Sequence, residues 1–172
     1  MNTKIKNIKI GETFKLAGIE FIKLDEDERG VHVLAKECIG DSEFGKNSNF
    51  AGSKIKTDLE NKFLEKLAGE IGEENVVPHT VDLTALNGDK MYDEVECKVS
   101  LLTLDAYRKY KQVLDGHHVD GWWWLATPDS KAYDRIVLCV SPSGNISNRN
   151  FFSILSYGVR PFCILKSSIF GS

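Results

Sequence analysis

Three runs in the last third of the chain decide the fold class: Trp122-Trp123-Trp124-Leu125, Ile136-Val137-Leu138-Cys139-Val140 and Val159-Arg160-Pro161-Phe162-Cys163-Ile164-Leu165. Each is short, rich in aromatic or β-branched residues and bounded by polar turn residues, which is the pattern of β-strands. Thr127-Pro128-Asp129-Ser130-Lys131 follows the first run and Pro142-Ser143-Gly144-Asn145 the second, so one antiparallel sheet of three strands is expected. Side chains alternate across a strand. Trp123 and Leu125 should therefore face one way and Trp122 and Trp124 the other, with at least one Trp pair in the core and the other partly exposed.

Working outward, Phe14, Leu16, Ile19, Phe21 and Leu24 fall in short alternating runs broken at Ala17-Gly18, and Val31, Val33 and Ala35 continue on one face of a third strand. A β-meander is the expected reading. Its acidic turn places Asp25, Asp27 and Gly30 at the first, third and sixth positions of a calcium loop, but Arg29 and Lys36 occupy the fifth and twelfth, where oxygen ligands belong. A solvated hairpin turn fits better. Gly40 to Gly52 reads as a loop leading to Ser53 as a helix N-cap. Ile55, Leu59, Phe63, Leu64 and Leu67 then recur at helical spacing, with Gly69 as the expected stop. A second helix is expected from Leu104 to Leu114, capped by Thr103, with Ala106, Tyr107, Tyr110 and Leu114 buried. Glu70 to Glu96, between them, is polar and irregular. Helices segregated from sheets make the class α+β, and the 172 residues read as a single domain with antiparallel sheets, two main helices and a long irregular loop region.

The formal charge is −3, with 42% hydrophobic and 27% charged residues, an ordinary globular composition. Mild acidity argues against a dedicated nucleic-acid binder, which needs a basic stripe to neutralise phosphates. The charge is uneven: Met1 to Asp115 carry 17 Lys and Arg against 22 Asp and Glu, whereas Gly116 to Ser172 carry 5 against 3 and no Glu. No apolar run reaches the ~20 residues of a membrane span, and the amino terminus alternates basic and apolar residues, unlike a signal peptide. A cytoplasmic location follows from the chain as written, with association with a virion or export by another route as alternatives. Cys38, Cys97, Cys139 and Cys163 are far apart, lack CxxC spacing and read as buried reduced thiols.

The same third carries a resemblance. Trp123-Trp124-Leu125-Ala126-Thr127-Pro128, Val140-Ser141-Pro142-Ser143-Gly144 and Tyr157-Gly158-Val159-Arg160-Pro161 resemble the WWLRSP, V-x-x-x-G and YGVRP signature of an uncharacterised bacterial family common in Firmicutes and their prophages. That family is similar, more distantly, to the C-type-lectin-like fold of formylglycine-generating enzymes and of the variable proteins of diversity-generating retroelements. Ala126 departs from the pattern, standing where the family has Arg, so any contact made by that Arg is absent. The resemblance implies terminal strands that come together and a long loop region displaying a binding surface above a small sheet.

On function, no G-x-S-x-G, Walker, H-E-x-x-H or G-x-G-x-x-G motif occurs. Asp115, His117, His118 and Asp120 place two imidazoles and two carboxylates on one loop, although adjacent histidines tend to diverge; a solvated loop is preferred to a metal site. His32 and His79 are isolated and read as surface or satisfied core residues. Cys139 and Cys163 admit a redox or metal enzyme if two strands of one sheet bring them together, as the formylglycine-generating enzymes use a cysteine pair with copper. Core packing is preferred.

The best candidate surface is Gly144 to Tyr157, where Asn145, Ser147, Asn148, Arg149, Asn150, Ser153 and Tyr157 supply hydrogen-bonding groups beside Phe151 and Phe152, joined by Trp122 and Trp124 if exposed. An ordinary loop with both Phe in the core is the bland alternative. The expected function is non-catalytic binding of a protein, peptide or glycan, without cofactor or metal. A formylglycine-generating-like enzyme and a structural phage or assembly module are the alternatives.

Overall fold

The computed structural model describes residues 2–149 and 151–172. The amino-terminal strands are β1 (Thr3–Lys4), β2 (Thr13–Leu16), β3 (Ile19–Asp27) and β4 (Gly30–Ala35), followed by β5 (Asp41–Glu43). β2, β3 and β4 form the expected meander, with Phe14 opposite Phe21 and Leu16 opposite Ile19. Ala17 and Gly18, both at positive φ (51° and 73°), make the first turn in the left-handed conformation that a two-residue hairpin favours. The acidic turn is a hairpin too: Asp27 pairs with Gly30, and its carboxylate accepts from the Arg29 backbone N–H at 2.9 Å and guanidinium at 2.7 Å.

The first helical run comprises α1 (Lys54–Asp58), a π-helical stretch (Leu59–Leu64) and α2 (Glu65–Ile71). Ser53 caps it, its Oγ accepting from Lys56 N–H at 3.0 Å. Its buried residues Ile55, Leu59, Phe63 and Leu67 recur every fourth position. Four residues of ideal α-helix turn 400°, so such a stripe drifts by 40° at each step. The π-helical stretch, wound more loosely with i→i+5 bonds, keeps the stripe on the core. The helix passes through Gly69, the expected stop, at a cost of about 1 kcal/mol. It ends at Gly72, whose positive φ of 86° with ψ 134° is an extended conformation open to glycine that turns the chain out of the helix.

The polar region beyond is less irregular than its composition suggests. It contains β6 (Val76–Val77), and β7 (His79–Asp82) pairs with β8 (Glu94–Cys97) before β9 (Val99–Ser100). The second helix forms as expected, Thr103 Oγ1 accepting from Ala106 N–H at 3.1 Å, but Tyr110 (φ −100°, ψ 9°) breaks it into α3 (Leu104–Lys109) and α4 (Lys111–Leu114).

The remaining strands are β10 (Trp123–Pro128), β11 (Val137–Val140), β12 (Ile146–Ser147), β13 (Ser156–Gly158), β14 (Phe162–Leu165) and β15 (Phe170–Gly171). They correct the single three-stranded sheet expected from sequence. β10 and β11 pair antiparallel in a five-stranded sheet ordered β12-β11-β10-β13-β5, in which β13 runs parallel to β10. β14 leaves that sheet and pairs with β4, β6 and β9 in the sheet of the meander. Val159-Arg160-Pro161 carries the chain across, tied by Ile39 N–H to Val159 O and Ala35 N–H to Pro161 O, both at 2.9 Å. Gly30 makes the β4–β14 approach feasible: a Cβ there would lie 2.2 Å from Leu165 O. β1 pairs with β15, bringing the ends of the chain together.

The alternation expected for the Trp run holds, with Trp124 and Ala126 in one core cluster and Trp123 and Leu125 in a second. The expected exposure does not. Both faces of β10 are covered, and Trp122 alone of the three is half-exposed. The class is α+β with antiparallel pairing dominant. Among the described residues no helix is long and apolar enough to cross a membrane.

Candidate functional site

The segment after β11 begins with a turn built by its own side chains. Ser141 N–H donates to Asn145 O at 2.8 Å, Ser141 Oγ accepts from Asn145 N–H at 3.0 Å, and Gly144 stands at φ 86°. Tyr107 of α3 pins the turn, its hydroxyl donating to Gly144 O at 2.6 Å. β12 then pairs with β11, Ile146 opposite Val140. Asn148 donates from Nδ2 to Asp129 Oδ1 at 2.5 Å, and Arg149 N–H to Ser147 Oγ at 3.1 Å.

Beyond this point the two adjacent phenylalanines separate. Phe151 turns inward, its ring 4.7 Å from Trp122 and 4.9 Å from Tyr157. Phe152 bridges to Ile136 and stays 42% exposed. Ser153 is buried, its backbone tying Arg135 O to Phe44 and Gly45 N–H, so Ile154 and Leu155 are held outward at 62% and 41% exposure. Tyr133, on the turn preceding Ile136, is also exposed.

The expected site residues thus fall into distinct layers. Asn145, Asn148 and Arg149 are exposed and Ser147 partly so. Trp122 and Tyr157 are half-buried supports. Trp124 and Ser153 correct the expectation. Both have no accessible surface, Trp124 being locked by Phe44 at 5.5 Å, Tyr157 at 5.0 Å and a 2.9 Å bond from Nε1 to Ser42 O. Asn150 lies outside the described residues. Sequence reading missed Ile154 and Leu155, whose signal was two large apolar residues in a polar loop.

The other sequence candidates disperse. His117 Nε2 lies 2.9 Å from Gly11 O, whereas His118 faces Asp115 at 3.9 Å, so the neighbouring rings serve different contacts. Among the described residues no group of three or more His, Cys, Asp or Glu is placed to hold a metal ion. Cys139 lies on β11 and Cys163 on β14, in different sheets, and burial pushes both thiols far above their ordinary range. His79 is buried with Nε2 2.8 Å from Ser100 Oγ; burial lowers its pKa to about 4. His32 is buried between Tyr110 (Nδ1 to OH, 3.3 Å) and Asp27 (Nε2 to Oδ2, 3.0 Å, too bent for a hydrogen bond). Ser100 is itself buried.

Arg160 is the most constrained charge. Its guanidinium is buried, donates to Ala35 O and Lys36 O at 2.8 Å and to His117 O at 2.9 Å, and lies 5.0 Å from the Trp123 ring. Burial lowers its pKa to about 10. It anchors turns through carbonyls.

A second concave feature was not foreseen. A groove of about 650 Å³ runs between the helix and the Glu37–Ser42 segment, with Ile19, Ile55, Leu59, Phe63 and Val159 in its floor and Ile39 on its lip. Lys62 and Lys66 stand on the helix wall, Glu37 and Asp41 on the other. Its parts lie over 100 residues apart, which hides it from local pattern reading.

The structure is α+β, and the partly apolar loop joins β12 to β13 of the five-stranded sheet. Residues 82–167, 86 of the 172, match the family described as Domain of unknown function (DUF6273), and the chain belongs to that family. The matched span contains Trp123–Pro128 and Tyr157–Pro161. No curated protein and no solved structure matches the chain.

Proposed function

We propose that the chain is a non-catalytic recognition domain that binds a protein or peptide through Ile146 to Leu155, on a C-type-lectin-like arrangement. The observation that carries the reading is the outward hold on Phe152, Ile154 and Leu155, while Phe151 and Ser153 fasten the loop beneath them. Apolar side chains fixed in water at one place are what a partner's surface covers, and a backbone ordered beforehand spares the entropy of ordering it on binding. Asn145, Asn148 and Arg149 give the polar rim on which specificity depends. The paired terminal strands and the loop above a small sheet support the lectin-like reading. The separation of Cys139 from Cys163 weighs for binding over redox chemistry.

The test compares the unmodified chain with Ile154→Asp on protein and glycan arrays. Loss of a protein signal at unchanged melting temperature is expected. A signal on glycans alone, or one indifferent to Ile154→Asp, overturns this site. Concentration-dependent self-association abolished by the same variant would favour the assembly module.

A further inference from the structure

The groove between the helix and Glu37–Ser42 is a separate site from the loop. Its volume of about 650 Å³ falls within the few hundred to a thousand Å³ of ligand sites, and its floor is apolar. Ile39 extends that floor as a lip 47% exposed. The walls carry opposite charge. On the helix, Lys62 and Lys66 lie one turn apart; Asp58 is already held by Lys54 at 2.8 Å and meets Lys62 only at 3.6 Å. Lys66 has no carboxylate partner among the described residues, and its ammonium reaches toward the Gly18 turn. Across the groove, Glu37 and Asp41 flank Cys38 and have no ion pair among the described residues. Arg160, buried behind Cys38, makes its hydrogen bonds to carbonyls and acts on Glu37 through charge alone. Glu20, also on the rim, is engaged by Thr13 at 2.7 Å and Lys36 at 3.3 Å.

An apolar trough with an anionic wall facing a cationic wall complements an apolar molecule with an ammonium at one end and a carboxylate at the other. We propose that this groove binds short apolar peptides with free termini, the amino terminus at Glu37 and Asp41, the carboxylate at Lys62 and Lys66, and the side chains on the floor and Ile39. The volume suits roughly three to five residues. Neither a simple anion nor a simple cation satisfies both walls.

The test titrates the full chain by NMR with the tripeptide Leu-Leu-Leu and with its N-acetylated, C-amidated and doubly capped forms. The free tripeptide should give saturable shifts at Ile39, Leu59 and Phe63. Each single cap should weaken binding about threefold or more, the scale of a solvent-exposed ion pair. Lys62→Gln with Lys66→Gln should abolish the penalty for amidation and keep that for acetylation; Glu37→Gln with Asp41→Asn should do the reverse. The proposal is overturned if the doubly capped peptide binds as tightly as the free one, if no saturation is reached at millimolar peptide, or if the shifts map to Phe152–Leu155. Both variants change exposed residues only; should one lose the native spectrum, the cap series on the unmodified chain decides alone.

Discussion

The two sides of β10 are built from different chemistry. On the side of Trp124 and Ala126 the cluster is mainly aromatic and aliphatic, with the thiols of Cys97, Cys139 and Cys163 among it and Lys23 bonded to Ile5 O at its margin, and it underlies both candidate surfaces: Ile55, Leu59 and Phe63 line the groove, and Phe151, with Trp122 and Tyr157 against it, supports the loop. On the side of Trp123 and Leu125, ionisable groups are folded into the interior. His32 and His79 pack edge-on against Phe162 at 6.0 and 5.2 Å, and Arg160 lies over Trp123. The two sides of β10 do different work. The first side should tolerate changes of pH and present surfaces, whereas the second fixes how the two sheets join and should respond to protons.

The strongest blow to that division is Arg160→Met. It removes three hydrogen bonds and leaves the Ala35, Lys36 and His117 carbonyls without their donor at the point where the chain crosses between sheets. Buried acceptors left unpaired cost about 1–3 kcal/mol each when water cannot reach them, so a loss of about 3–5 kcal/mol is expected from urea denaturation. Arg160→Lys should recover part of it, because one ammonium cannot reproduce the fork. A loss below about 1 kcal/mol would show that the crossing is held by its backbone pairing alone.

What the sequence disclosed, and what it withheld, follows the same line. The meander, the Ser53 and Thr103 caps and the alternation of the Trp run are local consequences of residue type and periodicity, and they were legible. The partner of β14 was not, because Phe162 to Leu165 is apolar on both faces and a pattern without a polar face names no sheet. Its pairing depends on Gly30, distant in sequence, having no Cβ. In the candidate site, Asn145, Asn148 and Arg149 were legible as exposed polar loop residues. Which phenylalanine turns inward depended on the Ile136–Phe152 bridge, and the burial of Ser153 on bonds to Phe44 and Gly45. Those contacts are tertiary.

A smaller and more selective effect belongs to His79. Its pKa in the folded chain is lowered by burial from 6.5 to about 4, so between these values the unfolded chain binds the proton and the folded one does not. The resulting stability is fully present above about pH 6.5 and lost as the pH falls toward 4, by up to about 3 kcal/mol. Asp27 carries the complementary dependence: Arg29, first, and His32 hold its carboxyl well below the usual range, so that contribution fades only below about pH 4. The interval between pH 6.5 and 4 therefore isolates the histidine side. His79→Gln, which can still meet Ser100, should flatten the urea midpoint across that interval. An unchanged slope would place the acid sensitivity elsewhere and break the contrast between the two sides.

The smallest expected effect is the most informative about how the sides communicate. Tyr107 stacks edge-on against Trp123 at 5.8 Å within the ionisable side, yet its hydroxyl crosses to Gly144 O and holds the turn from which the candidate loop departs. Burial raises the pKa of that phenol, which keeps it protonated as the donor. Tyr107→Phe preserves the stacking and deletes only the hydrogen bond, a loss of about 1 kcal/mol. Amide exchange should then quicken at Ser141, Gly144 and Asn145, the three N–H groups bonded within the turn, and remain unchanged along the helix wall of the groove. Faster exchange at both places would mean that the two surfaces share one opening, because Phe151 and Leu59 lie in the same cluster. A change confined to the turn would establish that the loop is ordered from the second side of β10 independently of the groove.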